Sequence, residues 1–201
     1  MRAALTALAI GVVGCGDTGK SSERAAPNGL LPDTFRVAFE TTRGRFVVAA
    51  YRPWAPLAVQ RFHGLASTGA FDDNAFFRVV PKFIVQFGVP GDTKLNARLD
   101  SAMLTDEPRR EQNLRGTVAF AQNGPGTRSH QLFVNLSDNA HLDRQNFVPI
   151  GRVVEGMGVV DSIYAAYREK PDFHLIATLG NKYLQRMFPK LDYIATARIV
   201  P

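Results

Sequence analysis

The segment Phe76-Phe77-Arg78-Val79-Val80-Pro81-Lys82-Phe83-Ile84-Val85-Gln86-Phe87-Gly88 is almost wholly apolar, yet it carries an arginine and a glutamine. Ala75 to Val80 and Phe83 to Phe87 are rich in aromatic and β-branched residues, which predicts two short strands around Pro81. If Phe76, Arg78 and Val80 share a face, Arg78 stands against a wall of large side chains. Two readings fit: an arginine at the rim of a barrel paired with a carboxylate, or an arginine that serves a site.

Upstream, Phe35 to Glu40 alternates large apolar residues, the period-2 mark of a strand. Thr41 to Gly44 reads as a turn and Arg45 to Tyr51 as the second arm of a hairpin. Pro56 opens a helix predicted over 56–67, with Gly69 as its stop signal. Downstream, residues 89–114 are polar and read as one long loop, a length usually reserved for functional or mobile segments. Strands are predicted at Gly116 to Ala121, Leu132 to Val134, Phe147 to Val154 and Tyr193 to Val200. A second main helix is expected over Val159 to Tyr167, an irregular stretch through Leu179, and a short helix from Asn181 to Phe188. Many short strands with two principal helices predict a mainly β fold, an antiparallel barrel with helices plugging its ends.

The chain has 201 residues, a length that suits one domain. Hydrophobic residues make up 45% and charged residues 21%, which excludes a disordered chain, a coiled coil and a collagen-like repeat. One cysteine excludes an internal disulfide and a thiolate zinc site. The formal charge of +6 is spread along the chain rather than gathered on one stretch, so no nucleic-acid partner is expected.

The N-terminus has the organisation of an export signal. Arg2 precedes an apolar run from Ala3 to Val13, too short to span a bilayer, which takes about 20 residues. The only cysteine follows at once, and Val12-Val13-Gly14-Cys15 resembles a bacterial lipobox. The expectation is a lipoprotein signal peptide over 1–14, a lipidated Cys15 with a flexible tether over 15–32, and a folded domain over 33–201. That places the protein in a bacterial cell envelope, lipid-anchored and facing the periplasm, with the anchor as its sole membrane contact.

Few residues suggest bond-breaking chemistry. His63, His130, His141 and His174 have no metalloprotease spacing, and no Gly-x-Ser-x-Gly elbow occurs. Gly124-Pro125-Gly126-Thr127 lacks the Gly-Lys-Ser/Thr end of a phosphate loop and reads as a plain turn. Asp72-Asp73 and Asp106-Glu107 are acidic pairs without an evident partner.

The opening segment closely resembles the central motif of the cyclophilins, the peptidyl-prolyl cis-trans isomerases, whose pattern is Phe-His-Arg-x-Ile-x-x-Phe-Met-x-Gln-x-Gly. Gly116-Thr-Val-Ala-Phe-Ala121-Gln122-Asn-Gly-Pro125 through Gln131-Leu-Phe133-Val is similar to a second family block. Leu142-Asp143 followed by Phe147 through Gly156-Met157 is similar to a third. The three occur in family order, and the resemblance spans about residues 34–200. It implies an eight-stranded antiparallel β-barrel capped by two helices, and an isomerase of X–Pro bonds in exported proteins.

Carried over by position, the resemblance makes Arg78 the catalytic arginine, with Phe83 and Gln86 beside it. Phe83, Ile84, Phe133 and Leu142 form the pocket for the proline ring. Gln86 and Gln131 are polar groups around the substrate, Ala121 and Gln122 belong to the backbone stretch that pairs with the peptide, and His141 stands at a substrate-binding position. Neither a metal nor an organic cofactor is implied; the partners are proline-containing polypeptides, and a monomer is expected. The alternative is a binding module or holdase for proline-containing segments, with little turnover. Three departures stand out: His141 replaces the family's frequent tryptophan, Asn146 and Phe147 stand where the family has a histidine, and residues 92–100 replace a glycine-rich loop.

Overall fold

The computed structural model describes residues 31–201. The predicted signal segment and Cys15 lie outside the described residues. The strands are β1 (Thr34–Thr41), β2 (Gly44–Tyr51), β3 (Asn74–Ala75), β4 (Arg78–Val80), β5 (Ile84–Phe87), β6 (Thr117–Phe120), β7 (Leu132–Asn135), β8 (Pro149–Glu155) and β9 (Tyr193–Val200). The helices are α1 (Pro56–Ser67), α2 (Thr93–Ser101), α3 (Ala140–Arg144), α4 (Met157–Asp161), α5 (Phe173–Leu179) and α6 (Asn181–Met187). Among them no helix is long and apolar enough to cross a membrane.

All strand pairings are antiparallel, in the order β3-β9-β1-β2-β8-β6-β7-β5-β4. The two edge strands, β3 and β4, are separated in sequence only by Phe76 and Phe77. Three Cα steps reach at most about 11 Å, so the sheet must curl until its edges face each other. The barrel is therefore closed by the chain itself. The strand expected as one piece over Ala75 to Val80 is two, which raises the expected eight strands to nine. The break has a packing cause: Phe76 buries in the main core, whereas Phe77 buries in a second cluster with Val89, Ile176 and Leu184. Phe76 therefore does not share the face of Arg78.

Phenylalanines fill the barrel. Phe39 stacks on Phe46 with centroids 4.8 Å apart, and Phe87 packs edge-on against Phe39, Phe71 and Phe76. Helix α1 adds Phe62, 5.8 Å from Phe71. Its N-cap residue, Ala55, has no side-chain acceptor. Glu107 takes that role from fifty positions away, accepting from the N–H groups of Leu57 at 2.7 Å and Ala58 at 3.0 Å.

The helix expected over Val159 to Tyr167 stops at Asp161. Val160 and Ile163 bury as a helix would place them, but the Tyr164 N–H donates to the Asp192 carboxylate at 2.8 Å instead of continuing the helical ladder. The long loop 89–114 contains α2, capped by the Asp92 carboxylate, which accepts from Lys94 and Leu95 N–H. Its one buried side chain is Asn96, so no apolar stripe announces it. Likewise the irregular stretch before Leu179 contains α5, capped by Asp172, and α6 matches the short helix expected after it.

Candidate active site

Cross-strand register assembles the site. Arg78 is opposite Gln86 in the β4–β5 pair, Gln86 is opposite Phe133 in β5–β7, and Phe133 is opposite Ala119 in β6–β7. Directly opposed residues share a face, as do neighbours two positions along. One face thus carries Arg78, Ile84, Gln86, Gln131, Phe133, Ala119 and Ala121. The alternate residues Val79, Val85, Phe87, Leu132, Val134, Val118 and Phe120 bury in the barrel core. The site therefore lies on the outside of the barrel wall. Its strands look continuously apolar because both faces are covered, the outer one by a small cluster of Ile84, Ala119, Phe133 and Leu142 with Phe83, Ala121 and Phe147 against it.

These residues line a cavity of about 320 Å³ that includes Arg78, Phe83, Ile84, Gln86, Ala121, Gln122, Gln131, Phe133 and Leu142. His141 does not line it. It is exposed on α3, with its ring 5.3 Å from that of Phe83. Phe147 is a wall that the reading of the sequence left unassigned: it meets Phe133 edge-on at 5.6 Å. Met103, Asn123 and Phe173 complete the rim. The Ala121 N–H donates to the Gln131 carbonyl at 2.9 Å, and Gln122 Nε2 donates to the Gln145 carbonyl at 3.0 Å, tying the end of β6 to α3.

The guanidinium of Arg78 is held on three sides. Nε donates to Glu169 Oε1 at 2.7 Å and Nη2 donates to the same oxygen. Nη1 donates to Gln86 Oε1 at 3.2 Å, and Gln86 Nε2 in turn donates to Gln131 Oε1 at 3.0 Å. The Phe83 ring lies 5.6 Å from Cζ. Arginine has five N–H donors, so one on each terminal nitrogen is left for a bound molecule. The carboxylate pairing expected of a rim arginine is present, and the same side chain also borders the cup. Nothing near residue 169 in the sequence marks Glu169 as its partner.

Below this site, His130 is fully buried next to Gln131. Its Nε2 lies 2.9 Å from Asn96 Oδ1 and its Nδ1 lies 3.0 Å from Ser129 Oγ. A neutral ring donating to Asn96 and accepting from Ser129 satisfies both. Burial lowers its pKa from 6.5 to about 4; the Asp100 charge opposes the shift and the Arg61 charge adds to it. Below pH 6.5 the unfolded chain takes up a proton that the folded chain refuses until about pH 4, so stability is full above 6.5 and falls across that window. From about pH 7.5 to about pH 5 the expected loss is about 2 kcal/mol. Urea unfolding of wild type and His130→Gln at both pH values checks this. An equal pH dependence in the two proteins would remove His130 as the cause.

An apolar cup on the outer wall of an antiparallel barrel, bordered by a clamped arginine, defines a cyclophilin-like protein. Residues 36–178 match the family described as cyclophilin type peptidyl-prolyl cis-trans isomerase/CLD. The chain belongs to that family. Among its relatives, the peptidyl-prolyl cis-trans isomerase-like 1 of Neurospora crassa is 32% identical over 139 residues, covering 68% of this chain and 85% of the relative. A peptidyl-prolyl cis-trans isomerase of Arabidopsis thaliana is 30% identical over 165 residues, covering 80% and 98%. Crystal structures of a cyclophilin type isomerase from Cryptosporidium parvum share the fold. One has a TM-score of 0.64 at 18% identity, covering 84% of this chain and 98% of that one. Another, determined in the presence of the dipeptide Ala-Pro, has a TM-score of 0.62 at 18% identity, covering 83% and 99%.

Proposed function

We propose that this chain accelerates cis–trans rotation of X–Pro bonds in polypeptides, with Arg78 as the catalytic residue. The observation that carries this is the guanidinium fixed beside the apolar cup with donors to spare. Rotation faces a barrier of about 18–20 kcal/mol because the amide is conjugated. Twisting the bond breaks conjugation and leaves a lone pair on the proline nitrogen. A fixed N–H donor binds that nitrogen better when twisted than when planar, which is selective stabilisation of the transition state. Arginine stays charged and presents its donors in a rigid fork. Phe83, Ile84, Phe133, Leu142 and Phe147 grip the ring while the rest of the chain turns. Gln86 and Gln131 orient Arg78 and the substrate backbone, and Ala121 and Gln122 border the peptide.

The test is the rate at which a proline-containing peptide returns to its cis–trans equilibrium with and without the protein. A holdase would bind the peptide and leave that rate unchanged.

His141 bears on inhibition. The family's tryptophan at this position contributes an indole donor and apolar area to cyclosporin binding, and imidazole supplies less of both. At about 25 cal/mol per Å² of apolar area, the lost ring should weaken the drug at least tenfold. His141→Trp should restore much of the affinity while changing turnover little. Titration of both proteins in the same assay decides this, and equal inhibition would remove the importance given to the position.

For location, the proposal is a monomer anchored through Cys15 on the periplasmic side of a bacterial envelope, acting on exported proteins as they fold. It rests on residues 1–15. Wild type should partition into detergent and incorporate labelled fatty acid, and Cys15→Ser should do neither; more than one acyl chain is needed for stable anchoring. Wild type found wholly in the soluble fraction would end this reading.

A further inference from the structure

Beside the proline cup, sharing Arg78, Gln86 and Gln131 with it, lies a second cavity of about 300 Å³. Its own walls are Phe77, Glu169 and Pro171, and Phe173 stands between the two cavities. Phe77 is buried while Phe173 is 40% exposed, with the two rings 6.4 Å apart, so an apolar wall opens to solvent here. Glu169 spends one carboxylate oxygen, Oε1, on both of its bonds to Arg78. Its Oε2 accepts no hydrogen bond from any described residue. Arg168 and Lys170 flank it in sequence but line neither cavity. Across both cavities the charged lining groups are Asp100, Glu169 and Arg78, two acids against one base, so the lining carries a net negative charge.

We propose that this second cavity is a side-chain subsite for a lysine or arginine close to the substrate's proline, with Glu169 Oε2 as its counter-charge. The inference rests on the isomerase reading above and names the substrates that reading favours. A lysine or arginine has the right two parts: an apolar stem to lie along Phe77, Pro171 and Phe173, and a cationic head for the free oxygen. The face of Phe173 adds attraction for a cation. An acidic side chain would meet Glu169 here and Asp100 in the adjoining cup. A leucine would cover the apolar wall but would strip water from a carboxylate oxygen without replacing it.

The test uses X–Pro peptides that carry Lys, Leu or Glu at each of the two residues before and the two after the proline in turn. Each is measured for kcat/KM by isomerisation and for Kd by calorimetry, with wild type, Glu169→Gln and Glu169→Lys. The ratio of Lys to Glu peptide is read within each protein, so a rate loss common to all peptides cancels. Partly exposed ion pairs contribute modestly. Attraction of lysine and repulsion of glutamate together should give wild type a ratio of about tenfold at one position at least, shrinking in about 1 M salt. Glu169→Gln should bring the ratio close to unity and Glu169→Lys should invert it. A wild-type ratio near unity at every position, or a ratio unchanged in Glu169→Gln, overturns the proposal. Lysine-selective binding without turnover would support the subsite and overturn the isomerase reading instead. Neither binding nor turnover of any peptide overturns both.

Discussion

Arg78→Ala is expected to lower kcat/KM for X–Pro isomerisation by about 10²–10³, the loss typical when one preorganised transition-state donor is removed. Fold stability should change little, because the Arg78–Glu169 pair is partly exposed, with side-chain exposures of 31% and 59%, and such pairs contribute about 1 kcal/mol or less. Peptide affinity should also survive, since Ile84, Phe133 and Leu142 still form the cup. The signature is therefore a fall in kcat with a much smaller change in KM. Arg78→Lys should fall between the two, because an ammonium keeps the charge but loses the planar fork held by Glu169 and Gln86. A folded Arg78→Ala protein with wild-type turnover would overturn the assignment of Arg78.

Glu107→Ala should destabilise the fold by about 2–4 kcal/mol, the combined cost of losing a helix cap and of under-compensating a buried polar group. Glu107 is 7% exposed and accepts from two N–H groups in the first turn of α1. It also lies 3.7 Å from Nη1 of Arg128, a side chain only 1% exposed. That nitrogen has no hydrogen-bond partner among the described residues, so the carboxylate is its main compensation. Alanine would strip the cap from α1 and remove one of the two carboxylates that face the guanidinium, leaving Arg128 with Asp106 3.7 Å from Nε and the Thr105 carbonyl 2.7 Å from Nη2. Glu107→Gln keeps an acceptor for the helix and should cost less. Urea midpoints for the three proteins measure both effects, and a loss below about 1 kcal/mol in Glu107→Ala would show that water or Asp106 takes over the compensation. Domains of ordinary stability have about 5–15 kcal/mol in hand, so the variant should remain folded but fragile.

The most informative positions in the sequence were those where one strand had to satisfy two faces. Arg78 and Gln86 are polar residues in otherwise apolar strands, and both line the cup, as does Gln131 immediately before β7. The hairpin of β1 and β2, helix α1 and strand β9 were legible for a simpler reason: period-2 or period-3.6 patterning, with Pro56 and the 41–44 turn as punctuation. Helices α2 and α5 were not. They are held by the Asp92 and Asp172 caps and by packing at few points rather than by an apolar stripe. The early end of α4 was equally hidden, because the carboxylate that ends it belongs to Asp192, 28 positions away from Tyr164.

By itself, the sequence determined the antiparallel β architecture, through local alternation, and which residues would line the cup beside Arg78, through short motifs that resemble a family's and whose members are sequence neighbours. Tertiary structure alone decided the rest. It placed the cup outside the barrel, since only cross-strand register says which face of a doubly buried strand is the core. It closed the barrel through Phe76 and Phe77, since these send adjacent rings into different clusters. It supplied Glu169 to Arg78 and Glu107 to α1 across 91 and 50 positions. Charges find partners through space, and a carboxylate that completes a site from a distant loop leaves no periodic trace in the chain.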